Sequence, residues 1–429
     1  MLPQLRELEQ RFPDSIAVVG VHSGKYIAER DTARIRDASI RLGATHPLLN
    51  DRQFRVWRAY AVRAWPTLVA IDPRGAVVGM SAGEFTADSV APFVERVIGA
   101  ARADGSLREE LLHFAAESPS VAPGALAYPG KVAVDGDRIA IADSGHHRIL
   151  IGRLEEQGLR MRVQRVVGSG RAGFADGDAV AFRYPQGLVF ADDVLYVADA
   201  GNHAVRAIAL ASGATRTIAG IGSQLRSARD RAAGALSSPW DLTLHGDTLH
   251  VAMAGIHQLW TIDLRDGTAA HRTGSGAEEL HDGSHGEAAL AQTMGIALHD
   301  DTLLAADAES NAIREVDLDS AGGVRTIVGT GLFDFGDVDG VGDAVRLQHP
   351  QGIAVGRDGR VILCDSYNDS LRWVDRAARR VTTWVRGLHE PGGIAIGERG
   401  VYVADTNAHR IVVVDWVSGE LHPVEIEMA

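Results

Sequence analysis

An aspartate recurs along this chain with a histidine or an arginine at a nearly constant distance behind it. It stands at Asp143, Asp199, Asp307, Asp365 and Asp405, in words such as IADSGHHRI, VADAGNHAVR and VADTNAHRI. His147, His203, His257 and His409 fall four residues after that position, and Arg148, Arg206, Arg314, Arg372 and Arg410 follow. Asp beside His and Arg is the material of metal sites, acid–base pairs and ion pairs. Repetition decides among these. A reaction needs such a group once, whereas a repeated fold needs it in every unit. The aspartates are therefore expected to anchor structure, accepting hydrogen bonds from the amides of their own turn. The histidines, spread by the repeat, are not expected to share a zinc ion. The arginines are expected to donate hydrogen bonds between units. No catalytic residue and no metal ligand is assigned.

Departures from the repeat carry more information. Where other units have Asp, one has Met253. Its first strand opens Pro239-Trp240-Asp241 instead of Pro-x-Gly, and an earlier unit puts Lys131 at the position of Asp241. With Gln186 and Gln351 on neighbouring first strands, Lys131, Trp240 and Asp241 form a candidate ligand or peptide site in a central channel. The plainer alternative is a salt bridge at the channel rim. Asp337, Asp339 and Asp343 lie around Gly340 and Gly342, a pattern that could bind calcium. The loop is too short for an EF-hand and lacks a closing Glu, so turn-forming Asp-Gly is the preferred reading. The single cysteine, Cys364, sits in an apolar strand word and is expected to be buried.

The elements that position these residues repeat as well. A Pro-x-Gly-apolar word, with variations, begins units at 129, 185, 239, 350 and 391, and TMGIAL at 293 is the same word without its Pro. The second strand of each unit ends in the Asp, and the anchors are spaced 56, 54, 54, 58 and 40 residues apart. Six units of four short strands at such a period predict a six-bladed β-propeller over 129–429. Residues 1–105 differ. Helical stripes alternate with short apolar runs in the order α, β, α, α, β, β, α, and Thr86 N-caps the last helix. Residues 106–128 read as a short helix and a Pro/Ala/Gly-rich linker.

The words ADSGHHRIL, VADAGNHAVRAI and VADTNAHRIVVVD resemble NHL repeats. Together with VVGVHSGKY, THPLLND and AWPTLVAIDPRG, they make the whole chain similar to the family that joins a thioredoxin-like domain to an NHL propeller. The resemblance implies that Trp65, Pro66 and Thr67 form the cis-proline loop of the thioredoxin-like domain. It also implies that a first strand and a Cys-x-x-Cys segment precede Leu2 in the family, and that a β-rich domain follows the propeller in animal members. The chain is thus expected to be a multidomain α/β plus all-β protein: a truncated thioredoxin-like fold, then a six-bladed NHL propeller.

The chain has 429 residues and a formal net charge of −13, which speaks against a general nucleic-acid or anionic-membrane binder. No run approaches the length of a spanning helix, the start does not read as a signal peptide, and one cysteine rules out a disulfide framework. The function expected is a non-catalytic binding protein: a monomer in the cytoplasm, without cofactor, that uses a propeller face for a protein or peptide partner. Two alternatives stand beside it. One is a thiol–disulfide oxidoreductase whose dithiol lies upstream of Met1. The other is a propeller hydrolase or lyase with a channel metal, which would need acidic or His side chains converging on the axis.

Overall fold

The first strand of each propeller unit is rich in small and β-branched residues, and its neighbours come close. A Cβ added at Gly295 would lie 1.9 Å from the Gln351 carbonyl oxygen of the next unit; one at Gly393 would lie 2.9 Å from Lys131 Cα. Glycine at the third position of the Pro-x-Gly word therefore lets inner strands meet backbone to backbone. The computed structural model, which describes residues 2–108, 122–356 and 358–428, shows what this builds. The chain divides into two compact units, Met1–Ala122 and Pro123–Ala429. Most of the helix and linker expected over 106–128, namely 109–121, lies outside the described residues.

The second unit is a ring of six antiparallel sheets, each of four consecutive strands. Blade one runs over 132–167, blade two over 185–219, blade three over 239–273, blade four over 293–328, blade five over 353–386 and blade six over 391–423. Three blades gain a fifth outer strand that period counting did not foresee, because two or three residues are too few to show alternation. Gly283–Ser284 joins blade four and Gly340–Val341 joins blade five. Glu425–Glu427 pairs in parallel with Arg160–Arg162 of blade one.

Each blade has two apolar faces, and each gap between blades holds one core. Ile139, Ile141, Leu150 and Met161 of blade one meet Tyr402, Ala404, Ile411 and Val413 of blade six, so the ring is closed by burial as well as by pairing. Phe182, Leu195 and Val197 fill the gap from blade one to blade two. Met253, Trp260 and Leu249 fill the gap from two to three. At roughly 25 cal/mol per Å² of apolar surface removed from water, such cores are the main favourable term.

The first unit is α/β. Its order is α1 (Leu2–Arg11), β1 (Gly20–His22), α2 (Thr32–Arg41), β2 (Leu48–Asn50), α3 (Arg55–Ala59), β3 (Thr67–Ile71), β4 (Val77–Ala82) and α4 (Ala87–Ala103). The expected order lacked β2, a three-residue strand behind Pro47 that pairs in parallel with β1. β3 and β4 form a separate antiparallel hairpin. Asp31 caps α2 through the amides of Ala33 and Arg34, and Thr86 caps α4 in a capping box with Ser89. The core under α1 and α4 is small: Leu8, Ala87 and Ala91 are buried, with Phe12, Phe85 and Val90 against them.

Short ladders over a small core should open more readily than six interlocked sheets. In hydrogen exchange on the full chain, amides of β1 through β4 are expected to exchange well before those of the propeller's second and third strands. Equal protection in the two units would contradict this.

Candidate binding face of the propeller

Every blade's second strand and next inner strand meet at one face, here called the upper face, and the polar repeat residues gather there. Two consecutive amides precede each inner strand and have no strand partner. The anchor aspartate takes the first. Its Oδ1 accepts from Ala127 in blade one (2.7 Å), Arg183 in blade two (2.8 Å), Ala291 in blade four (2.8 Å), Gln348 in blade five (2.7 Å) and His389 in blade six (2.5 Å). This differs from the expected bond to the aspartate's own turn: the donor lies sixteen or seventeen residues earlier, where the chain arrives at the blade.

The side chain four residues after the anchor takes the second amide, across the gap to the next blade. His147 Nδ1 accepts from Tyr184 (3.2 Å), His203 from Ser238 (3.0 Å), His257 from Gln292 (3.1 Å) and His409 from Tyr128 (2.9 Å). Asn311 and Asp369 do the same for His349 and Glu390, both at 3.0 Å. These two escaped the sequence reading because they are not histidines, although their offset from the anchor is the same. All six acceptors adopt left-handed backbone, with φ from 51° to 55°. An imidazole that accepts at Nδ1 must be unprotonated there. Burial, with Arg226 and Arg183 nearby, pushes the His203 pKa down to about 4, and burial lowers that of His147.

The arginines bind the anchor of their own blade, and by two routes. Arg148 and Arg410 follow their aspartates by five residues and contact Oδ2 at 2.7 Å. Arg206, Arg314 and Arg372 follow by seven, are fully buried, and also grip an aspartate of the incoming loop: Asp176 at 2.5 Å, Asp282 at 2.9 Å and Asp339 at 2.7 Å. Each loop aspartate in turn accepts from the amide and hydroxyl of a fourth-strand threonine, Thr217, Thr326 or Thr383. Asp339 is thus occupied by this clamp, while Asp337 pairs with Arg372 and Arg386, and Asp343 with Arg379. Those carboxylates that suggested calcium are spent on guanidinium groups.

In the channel, Lys131 reaches across the ring. Its Nζ lies 3.2 Å from Asp241 Oδ2 of blade three, 2.9 Å from the Met294 carbonyl of blade four and 3.4 Å from the Gln351 carbonyl of blade five. Asp241 Oδ2 also accepts from the Ile296 amide at 3.1 Å. The two side chains are 5% and 12% exposed, so the pair spans the channel instead of sitting at its rim. Gln186 Nε2 donates to Ser144 Oγ at 3.4 Å, and the half-buried Trp240 has no partner for Nε1 among the described residues. Cys364 is fully buried beside the channel strands, and burial pushes its thiol up to about 12.

In the first unit the Trp65–Pro66 peptide is cis. Trp65 donates from Nε1 to the Ser23 carbonyl (2.8 Å) and packs against Trp57 with ring centroids 4.5 Å apart and the planes tilted by 42°. Thr67 Oγ1 donates to the Ala64 carbonyl at 2.7 Å.

Six four-stranded blades bearing this repeat define an NHL-repeat β-propeller protein, and the NHL repeat model matches residues 126–151 and 182–208. The chain is similar over nearly all its length to NHL repeat-containing protein 2: 35% identical to that of Homo sapiens and 34% to that of Gallus gallus, covering 97% of this chain and 64% of each relative. It is also 36% identical to Protein SUPPRESSOR OF QUENCHING 1, chloroplastic, of Arabidopsis thaliana, over 98% of this chain and 43% of that protein. The chain therefore spans less than two thirds of these relatives.

Two outcomes test the site's geometry. Lys131→Met strands a buried carboxylate, and unfolding by urea should show a loss of about 3–5 kcal/mol, part of it recovered when Asp241→Asn is added; a loss under about 1 kcal/mol would mean the pair is dispensable. In an NMR titration the His203 ring should stay neutral down to about pH 4. Its unfolded form binds a proton near pH 6.5, so on this group alone stability falls as pH drops from about 6.5 to 4. A midpoint near 6.5 in the folded protein would refute the amide bond.

Proposed function

We propose that this protein is a binding module without catalysis of its own, which presents the upper face of its propeller to a protein or peptide partner. The observation that carries the reading is where apolar surface stays exposed. Of the propeller's exposed large hydrophobic residues, Phe174, Ile221, Phe333 and Val338 lie on loops between blades and Val341 on the short fifth strand of blade five, whereas Val166, Val417 and Met428 lie elsewhere. Exposed apolar residues gathered on one set of loops, over a rigid polar framework, suit association. The channel supports the same reading, because Lys131 and Asp241 fill it with each other.

The first unit is compatible with a thioredoxin-like fold, with Trp65, Pro66 and Thr67 as its proline loop. Thiol–disulfide exchange needs an accessible thiolate beside such a loop. Within these 429 residues the one cysteine is Cys364, buried in blade five. We read this unit as a second docking surface. Among the described residues no helix is long and apolar enough to cross a membrane. A cytoplasmic setting fits the single buried thiol; the Arabidopsis relative is, by its name, chloroplastic.

Cross-linking of the full chain to proteins that co-purify with it tests the proposal. Cross-links are expected at the loops 168–184, 274–292 and 329–349. The double variant Phe333→Ser, Val338→Ser should lose most of them with its melting temperature unchanged. Cross-links confined to other surfaces, or partners retained in full by that variant, would overturn it.

A further inference from the structure

Blade three lacks the clamp of its neighbours, and the loss is complete. In blades two, four and five a third-strand arginine pairs in register with a fourth-strand threonine: Arg206 with Thr217, Arg314 with Thr326, Arg372 with Thr383. In blade three the same register pairs Trp260 with His271. The anchor aspartate is Met253, seven residues before Trp260 as the aspartates are before their arginines. The incoming loop changes as well. Among the described residues no loop carboxylate bonds to Trp260 or His271, and the helix Ala228–Ala232 stands there, with Asp230 spent on the Arg226 amide and Ser227. Four positions that cooperate in blades two, four and five have all been replaced in blade three.

Where the clamp would be there is a hollow of about 410 Å³, lined among others by Ile221, Arg231, Leu236, Trp260, Ala269 and His271. Arg231 stands over the Trp260 ring, 4.9 Å from its centroid. Its guanidinium has no ion pair or hydrogen bond among the described residues. Trp260 is buried, with its Nε1 satisfied by Gln258 Oε1 at 3.0 Å, so the ring forms a fixed floor.

We propose that this hollow is a docking site for an acidic side chain, Asp or Glu, followed by an apolar residue, on a segment of a partner protein. The site rests on the reading of the propeller as a binding module and names its partner's chemistry. The argument is internal to the ring. At this register three sister blades place a carboxylate of their own loop against a guanidinium. Among the described residues blade three sets no carboxylate against its guanidinium, Arg231, and it leaves Ile221 exposed beside it. A carboxylate from outside restores the charge pairing, and its apolar neighbour covers the exposed Ile221.

A random twelve-residue peptide display selected on the full chain, with release by excess soluble Arg231→Glu protein excluded from the pool, tests this. Peptides that need Arg231 are expected to share an Asp or Glu beside a large apolar residue. Their affinity should drop about tenfold or more in Arg231→Gln, a change at an exposed position that preserves folding, and should weaken with added salt. Replacing the peptide's Asp or Glu by its amide should cause a similar loss. Peptides without acidic residues, or acidic peptides indifferent to Arg231→Gln, would overturn the site. If the selected peptides instead depend on Phe333 and Val338, this site is wrong while the binding-module reading stands; if the chain selects no peptide at all, both fail.

Discussion

A ring of sheets obliges the chain to turn sharply from the outer edge of one blade to the inner edge of the next, and each turn exposes two successive amides that no strand can satisfy. Leaving a buried amide unpaired costs on the order of 1–3 kcal/mol, so twelve of them would rival the stability of a whole domain. The molecule answers with two side chains per blade, except in blade three, where Met253 stands in place of the anchor aspartate. One comes from the blade being entered, the anchor Asp; the other comes from the blade being left, the left-handed His, Asn or Asp. The second bond is the one that crosses the gap. It makes each turn simultaneously a cap for one sheet and a tether to its neighbour, and His409 to Tyr128 completes the circle.

The inner strands follow from that geometry. Fixed turns bring the strands close enough that a Cβ at Gly187 would meet Asp241 Cα at 2.6 Å. Glycine makes the approach possible, and the two departures from glycine, Lys131 and Asp241, must then occupy the space that remains. They do so as a pair. A lysine alone in that channel would be an uncompensated buried charge, and the chain supplies an aspartate, an amide and two carbonyls around the contact.

Much of this was legible in sequence because a repeat prints its rules several times. The strand count per blade and the six units followed from words that recur. What escaped was of two kinds. Partners that vary in residue type, such as Asn311 and Asp369 beside four histidines, disappear when a motif is read by identity and not by offset. Partners far along the chain are silent: nothing local announces that Asp176 grips Arg206 or that Glu425–Glu427 lies along blade one. The aspartates' donors were misjudged for the same reason, since a turn's own amides are the nearest candidates in sequence but not in space. β2 in the first unit was too short to leave a period.

The parallel strand at Glu425–Glu427 has a consequence for how the protein is made. Blade one emerges early in synthesis, yet its outer edge and its face toward blade six are covered only by residues beyond 390. Until those residues leave the ribosome, a growing chain carries five finished sheets with an apolar flank at either end of an open arc. Joining sites this far apart adds little extra loop entropy, but the delay is long on the timescale of local folding. The nascent arc is therefore the form most exposed to mispairing with other chains, and the need for shielding is greatest while the ring is one blade short of closure.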